Sequence, residues 1–318
     1  MCRIRRRSGL SWARSPERSA AAASLRRGAG LAWQIGRIGA ATLAIATTAV
    51  AAAEPPKLDK VLARLGDYLA RYERTLGAVV AEEKYEQSLR TDPDVRGGVA
   101  ATEHRVLLAD FALARLPDDT AWMGFRDTFS VDGKPVRDRE ARLERLLSAG
   151  SRSALEQAYA VTRENSRYNL GEDIVIRTIN VPTMAIGLIR NRSRFSFRKS
   201  GEETIDGRRT WMIAYKERAR PTIIRTPNGR NQPASGFVWV DAETGEVLKT
   251  SLSAADDRME SFAVIIVEYR PDPKLGFLVP THMSESYRKP DSLISAEATY
   301  SNFRQFQTSG RIVTDRQP

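Results

Sequence analysis

The chain has 318 residues, a formal net charge of +11 and one cysteine, Cys2. Most of the excess charge lies in residues 1–53, which hold nine arginines and one acidic residue, so residues 54–318 carry a net charge of +3. A nucleic-acid-binding protein needs a basic surface on its folded part, which argues against that class. Because Cys2 lies within residues 1–53, residues 54–318 have no cysteine for a disulfide, a thiol nucleophile or a thiolate metal site.

The first 53 residues have the composition of an export signal. Their arginine-rich start is followed by an apolar run at 38–50, whose 13 residues are too few to span a bilayer. Small residues at 51 and 53 occupy the positions that signal peptidases prefer, so we predict cleavage after Ala53 and release into the periplasm. Arginine pairs such as Arg26-Arg27 leave both Sec and twin-arginine export open.

An amphipathic helix is predicted to begin after Pro55-Pro56 and to end at Gly77. Its opposite face carries arginines and Asp67. The apolar residues, which recur at three- and four-residue steps, are Leu58, Val61, Leu62, Leu65, Leu69, Tyr72 and Leu76. The pattern favours a helix laid over a sheet, with a membrane-surface or partner helix as the alternative.

Strands are predicted next at 79–89, 103–116 and 122–131, with turn residues between them. The apolar period then changes from that of strands to that of helices. We predict two helices in tandem, at about 138–148 and 151–165.

Residues 165–192 are the least regular part of the chain. Their apolar centre is interrupted by Pro182 and Gly187. A flap over the mouth of a cavity and an ordinary crossing of the core both fit this pattern, and a short helix at 184–190 is compatible with either.

From residue 195 to residue 306 the chain alternates apolar and polar residues between turn signals, which is typical of an antiparallel meander. Asp206-Gly207 is a strong hairpin signal. The predicted strands are 195–199, 210–217, 235–241, 246–250, 262–270, 277–289 and 294–306. We therefore predict one α+β domain, residues 54–318, in which a curved antiparallel sheet of about eight to eleven strands, a half-barrel, carries helices on its concave face.

Residues with catalytic or metal-binding chemistry are sparse. His104 and His282 are 178 positions apart and lack the short spacing of a metal site. Ser196-Phe-Arg-Lys199 matches the S-x-x-K motif of serine acyl-transferases, but residues three apart in a strand face opposite sides. We predict neither a metal nor another cofactor.

Three carboxylates, Asp241, Glu243 and Glu246, gather around one predicted turn. Acidic residues are common in turns because their side chains bond backbone amides there, so we interpret the group as a solvated turn. We predict no catalytic residue, and we keep a hydrolase that uses Asp241, Glu243 or His282 as a minor alternative.

An aromatic-rich strand, an Asp turn and Thr-Gly follow one another at residues 238–247, V-W-V-D-A-E-T-G-E-V. This hairpin, together with the order of export signal, helix, strands, helical insertion and meander, resembles bacterial lipoprotein-localisation proteins of the LolA/LolB type and envelope-stress regulators of the RseB/MucB type. The resemblance implies a half-barrel sheet closed by helices over a hydrophobic cavity, in an exported protein of the Gram-negative envelope.

Large aromatic residues alternate along several predicted strands, and large rings on a curved sheet can leave space between them. The candidates for lining such a cavity are Trp122, Phe195, Phe197, Trp211, Tyr215, Phe237, Trp239 and Tyr287. Trp211 and Trp239 are predicted to share the concave face. The alternative, which stays open, is that these rings simply pack beneath the helices.

The resulting hypothesis is a non-enzymatic periplasmic protein that binds a lipid, an acyl chain or a lipidated protein in this cavity. Its alternative is a protein-interaction or sensor module, in which the sheet edge or residues 165–192 dock an envelope protein. Nucleic acid is not among the predicted partners.

Overall fold

The structure is a computed structural model in which all described residues lie within the predicted domain. The described ranges are 56–76, 79–92, 100–115, 122–136, 160–161, 164–171, 179–225, 229–255, 262–307 and 311–312. The predicted signal at 1–53 and helix at 138–148 lie outside them, as does most of the helix predicted at 151–165. Within these ranges, no helix combines the length and the apolar composition that a membrane crossing requires.

Helix α1, Leu58–Leu76, forms as predicted. Its apolar side chains lie on one face because they repeat with the helical period. At the sheet, Tyr72 meets Tyr269 edge-on, with ring centroids 6.3 Å apart. The buried residues of the helix are Val61, Leu62, Leu65, Tyr68, Leu69, Tyr72 and Leu76.

In the described ranges, twelve strands form one sheet in which every pairing is antiparallel. The strands are β1 (Val79–Thr91), β2 (Ala101–Arg115), β3 (Trp122–Val131), β4 (Lys134–Pro135), β5 (Phe195–Ile205), β6 (Arg208–Glu217), β7 (Ala234–Asp241), β8 (Val247–Ala255), β9 (Phe262–Asp272), β10 (Phe277–Arg288), β11 (Ser292–Gln307) and β12 (Arg311–Ile312). Their order in space is β4-β3-β2-β1-β11-β10-β9-β8-β7-β6-β5, and β12 pairs with β11. The predicted class, α+β with an open curved antiparallel sheet and helices over one face, is confirmed.

The turn chemistry of the sequence explains several boundaries. Asp206-Gly207 joins β5 to β6 with φ angles of +50° and +75°, the left-handed values that a type I′ hairpin turn needs. Asp132 and Gly133, with φ angles of +50° and +76°, do the same between β3 and β4. The predicted strands lie where they were expected, although β5 and β8 continue six and five residues past their predicted ends.

Strand β1 links the two groups of strands that make up the sheet. It pairs with β2 on one side and with β11 on the other, where Glu83 lies opposite Tyr300. The first four strands of the sequence therefore connect to β5–β11 through the β1–β11 pairing.

The two faces of the sheet differ in burial because successive residues of a strand point to opposite sides. The inner face, which contacts α1, includes one buried row across seven strands: Tyr85, Ala298, Met283, Val267, Thr250, Val238 and Ile213. The outer face carries a neighbouring row: Lys84, Thr299, His282, Glu268, Lys249, Trp239 and Met212.

Residues 179–190 cross over the inner face. Their helix α2 (Met184–Arg190) contacts α1 and β8. The Tyr269 hydroxyl donates a hydrogen bond of 2.5 Å to the carbonyl oxygen of Pro182. The buried residues of α2 are Ala185, Ile186, Leu188 and Ile189. This part of the irregular segment belongs to the core, and the short helix predicted at 184–190 is confirmed.

Candidate functional site

A cleft of about 550 Å³, the end cleft, opens at one end of the inner face. It lies where β1 and β10 end, where β2 and β11 begin, and beside residues 169–171. Its lining residues are Leu89, Thr91, Glu103, Arg105, Asn169, Leu170, Gly171, Lys289, Asp291, Ser292 and Ile294.

The floor of the end cleft is apolar because of strand register. Leu89 of β1 pairs with Ile294 of β11, and both have the parity of the inner face. Tyr287 pairs with Ile294 from the other side, so it is the predicted aromatic residue that lies nearest to the cleft. The floor therefore continues the buried surface of the inner face towards solvent.

Residues 169–171 form one wall, and hydrogen bonds fix the segment 164–171 to the sheet. The amide of Leu170 donates to the Gln87 side-chain oxygen at 3.0 Å, and the Thr128 amide donates to the Asn165 side-chain oxygen at 2.8 Å. These bonds are buried, and a buried donor left without an acceptor costs about 1–3 kcal/mol. The wall is therefore tied to β1 and β3.

Gly171 allows this wall to lie directly on the floor. Its φ angle of +84° is in the left-handed region that favours glycine. A Cβ atom at this position would stand 2.9 Å from the Ile294 Cδ1 atom. A larger residue would therefore change the shape of the cleft.

Charged groups lie around this apolar floor. The Arg105 Nη1 group donates to the Tyr168 carbonyl oxygen at 3.0 Å, and Arg105 Nε stands 3.9 Å from the Asp132 carboxylate. That Nε group is buried and has no hydrogen-bond partner. Glu103 and Asp291 are exposed. An apolar floor beside a few charged groups suits a ligand with an apolar and a polar part.

A second polar cluster, the Arg126 cluster, lies farther along the inner face of β1. Arg126 donates to both Glu83 carboxylate oxygens and, at 2.8 Å each, to the side-chain and backbone oxygens of Asn180. Its guanidinium also stands 4.9 Å from the ring centre of Tyr85. Burial lowers the pKa of Arg126, but the adjacent Glu83 carboxylate raises it more, so the pKa ends well above its ordinary value. This buried ion pair holds residue 180 against the sheet through the two bonds to Asn180.

Most of the predicted aromatic residues lie on the inner face, away from the end cleft. Phe195 stacks near Phe197 and Tyr215, with centroid distances of 6.4 and 5.9 Å, and the Lys199 ammonium lies 3.6 Å from the centre of the Trp211 ring. The side chain of Trp122, on β3, lies outside the described residues. No described residue of this group lines the end cleft.

Phe237 and Trp239 lie on the outer face, so the prediction that Trp239 shares the concave face with Trp211 was wrong. The reason is register: Trp239 pairs with Met212, whereas Val238 pairs with Ile213 in the buried row. The Trp239 indole donates to the Glu203 carboxylate at 2.6 Å.

This assignment predicts unequal effects of truncating the two tryptophans. Trp211→Ala should lower the free energy of unfolding by about 3–5 kcal/mol because it leaves a cavity in the core. Trp239→Ala should cost less, about 1–2 kcal/mol: the ring is only 8% exposed, but it lies on the outer face outside the core cluster, where the flexible Lys249 side chain can move into the space. Urea unfolding of both variants measures the difference, and equal losses would contradict the assignment of faces.

The residues named in the hydrolase alternative do not come together as a catalytic site. Arg208 holds two carboxylates of the turn, and the two histidines lie far apart. Arg208 bridges Asp241 and Glu246 at 2.6 Å each. Burial raises the pKa of Asp241, but hydrogen bonds from Arg208 and from turn amides outweigh burial and leave the pKa below its ordinary value. His104 and His282 lie on strands that β1 and β11 separate. The described residues contain no group of three metal-ligating side chains placed to hold an ion.

Sequence reasoning missed the residues of the end cleft. Leu89 and Ile294 have inner-face parity, which the sequence could have supplied. Leu170 is held in the cleft by the hydrogen bond from its amide to the side chain of Gln87, 83 positions earlier in the sequence. A local sequence pattern cannot predict such a distant contact.

Comparisons with solved structures return folds of the kind that the sequence resembles. A domain assigned to outer membrane lipoprotein sorting in Vibrio parahaemolyticus covers 77% of this chain and 92% of its own, with 13% identity and a TM-score of 0.35. A DUF1329 family protein from Desulfovibrio piger has the same coverages, 12% identity and a TM-score of 0.29. MucB of Pseudomonas aeruginosa, solved with MucA, covers 76% of this chain and 99% of its own, with 10% identity and a TM-score of 0.19.

No family model matches the sequence, and no curated protein matches it at a significant level. At these TM-scores the structural likenesses carry no argument about function, which therefore rests on the geometry of the chain itself.

Proposed function

We propose that this protein is an exported, non-enzymatic binding protein whose end cleft holds the apolar part of an amphipathic ligand such as an acyl chain. The observation that carries the proposal is the cleft of about 550 Å³ with its apolar floor and charged surroundings. Pockets for small ligands have volumes of about 300–1,000 Å³ and a few placed polar groups. Three of the eleven residues that line this cleft, Leu89, Leu170 and Ile294, have apolar side chains, so the cleft offers a short apolar strip among polar groups.

The apolar surface that a ligand can reach is small. Leu170 and Ile294 are 3% and 7% exposed, so most of their surface is already covered by the protein. A chain that covers the remaining apolar surface gains about 25 cal/mol for each Å² removed from water. Leu89, which is half-buried, leaves the most room for such a chain.

Filling the cleft should abolish binding. Leu89→Trp places an indole where the chain would lie, and we expect the affinity for a fluorescent fatty-acid probe to fall at least tenfold, which corresponds to about 1.4 kcal/mol. The matched control is Ser88→Trp, since residue 88 precedes residue 89 and faces outward. Fluorescence titration of the wild type and both variants measures the effect.

Two results would overturn the proposal. In one, the wild-type protein does not bind the probe. In the other, Leu89→Trp and Ser88→Trp, both shown to be folded by circular dichroism, bind the probe as the wild type does.

A protein-interaction module is the second candidate. Phe237 and Ile223 are the exposed large hydrophobic residues of the described chain, and exposed apolar groups are found at interaction surfaces. Native mass spectrometry of the exported protein separates the candidates: a bound lipid supports the first, and a stoichiometric envelope polypeptide that Phe237→Ser releases supports the second. The same intact mass tells whether residues 1–53 are removed after Ala53, as we infer for a periplasmic protein.

A further inference from the structure

We propose that the end cleft selects ligands with an anionic head group, a carboxylate or a phosphate, and that Arg105 is the residue that recognises it. This inference rests on the proposed function and adds the chemical class of the ligand. Three observations carry it: the unsatisfied donors of Arg105, its depth in the cleft, and the position of the acidic groups nearer the mouth.

The guanidinium of Arg105 has hydrogen-bond donors that are not used within the protein. A guanidinium has five N–H groups, and two of its three nitrogens, Nη2 and the buried Nε, make no hydrogen bond. The nearest carboxylate, that of Asp132, is 3.9 Å from Nε, beyond hydrogen-bond distance. The side chain is 29% exposed, so it can meet a ligand without unfolding. A planar guanidinium with open donors matches the oxygens of a carboxylate or phosphate.

Arg105 is also the charged lining residue farthest from the strand ends. On β2, Glu103 lies two positions nearer the start of the strand, roughly 7 Å away along it. Lys289 and Asp291 lie in the turn after β10, at the mouth. An anion that enters the cleft therefore leaves the carboxylates of Glu103 and Asp291 behind it when it reaches Arg105, and the Asp132 carboxylate faces Arg105 from the Nε side.

The apolar floor lies beside this group. Arg105 pairs with Gln87 across the sheet, and the Gln87 side chain holds the amide of Leu170. A head group at Arg105 therefore places an attached chain against Leu170 and the Leu89–Ile294 pair. One ligand can use both parts of the cleft at the same time.

The test compares three ligands of equal chain length on the whole protein: palmitate, hexadecyl phosphate and hexadecanol. Each is titrated against a bound neutral fluorescent probe. We expect an anionic ligand to bind at least tenfold more tightly than the alcohol, because hydrogen bonds between ionised groups are stronger than those to a neutral hydroxyl. Arg105→Gln should remove that advantage while the affinity for the alcohol stays within about twofold. Preference for palmitate assigns a carboxylate head group, and preference for hexadecyl phosphate assigns a phosphate.

Two further variants keep the test decisive if Arg105→Gln loosens residues 164–171. Glu103→Gln changes an exposed side chain and removes the acidic group near the mouth, so the affinity for the anionic ligand should rise severalfold. Arg90→Gln is the matched control, because it removes the same charge at the same end of the sheet but on the outer face of β1. It should leave all three affinities unchanged.

The failures of the two proposals are distinguishable. If all three ligands bind equally in the wild type, and Arg105→Gln and Glu103→Gln change none of the affinities, head-group selection is overturned while chain binding stands. If none of the ligands displaces the probe, the proposed function itself has failed.

Discussion

Replacing Arg126 by Met should lower the free energy of unfolding by about 3–5 kcal/mol, because it leaves the Glu83 carboxylate buried without its charge partner. Glu83 has no exposed side-chain surface, so water cannot take the place of the guanidinium. Asn180 loses two hydrogen bonds at the same time. Urea unfolding measures the loss, and faster amide hydrogen exchange in residues 179–190 would show that the crossing segment has loosened.

The control for this prediction removes both charges. In a variant that combines Glu83→Leu with Arg126→Met, no charge stays buried, and such replacements are often neutral or stabilising. We expect it to recover most of the stability lost in Arg126→Met. If the double variant is as unstable as the single one, the cost comes from lost packing around Arg126 and not from the unpaired carboxylate.

Gly245→Ala should cost about 3 kcal/mol or more, because two effects add. The φ angle of Gly245 is +79°, which strains any residue with a Cβ atom, and that atom would stand 2.5 Å from the backbone carbonyl of Arg64 in α1. Backbone atoms cannot turn away as side chains do, so α1 must shift from the sheet. Thermal or urea unfolding measures the total effect.

Gly207→Ala separates these two effects. Gly207 has a φ angle of +75°, and its added Cβ atom would meet nothing within 4 Å. The control therefore carries the backbone strain alone, which we estimate at about 1–2 kcal/mol. Equal losses in the two variants would mean that α1 does not rest on the turn at residue 245.

The positions of the strands could be predicted because turn residues mark their ends. Asp206-Gly207 and Asp132-Gly133 supply the backbone angles that hairpins need, and the helical period from Leu58 to Leu76 is regular. The order of elements and the fold class follow from such local signals.

The inward side of β7 could not be predicted in the same way. Both parities of this strand are apolar, Phe237 and Trp239 on one side and Val238 and Val240 on the other, so alternation does not tell which side is buried. The small valines lie in the core, where Val238 is fully buried between Ile213 and Thr250, and the larger rings lie outside.

The end cleft could not be predicted either, since its parts are distant in sequence. Gly171 lies on Ile294, and Arg105 binds the carbonyl of Tyr168. Each of these contacts depends on the path of residues 164–171 over a sheet whose strands must already be in place. Local propensity carries no information about that path.

The pairing of β1 with β11 joins residues that are far apart in the sequence, so it should slow folding. Val79 lies opposite Gln305, 226 positions later, and α1 reaches a carbonyl at Ala242, 178 positions from Arg64. Folding slows as the mean sequence separation of contacts grows, because the entropy of closing long loops is lost before their contacts form. A chain that stopped before β11 would leave β1 and β10 as long unpaired edges, the kind of surface on which separate chains aggregate.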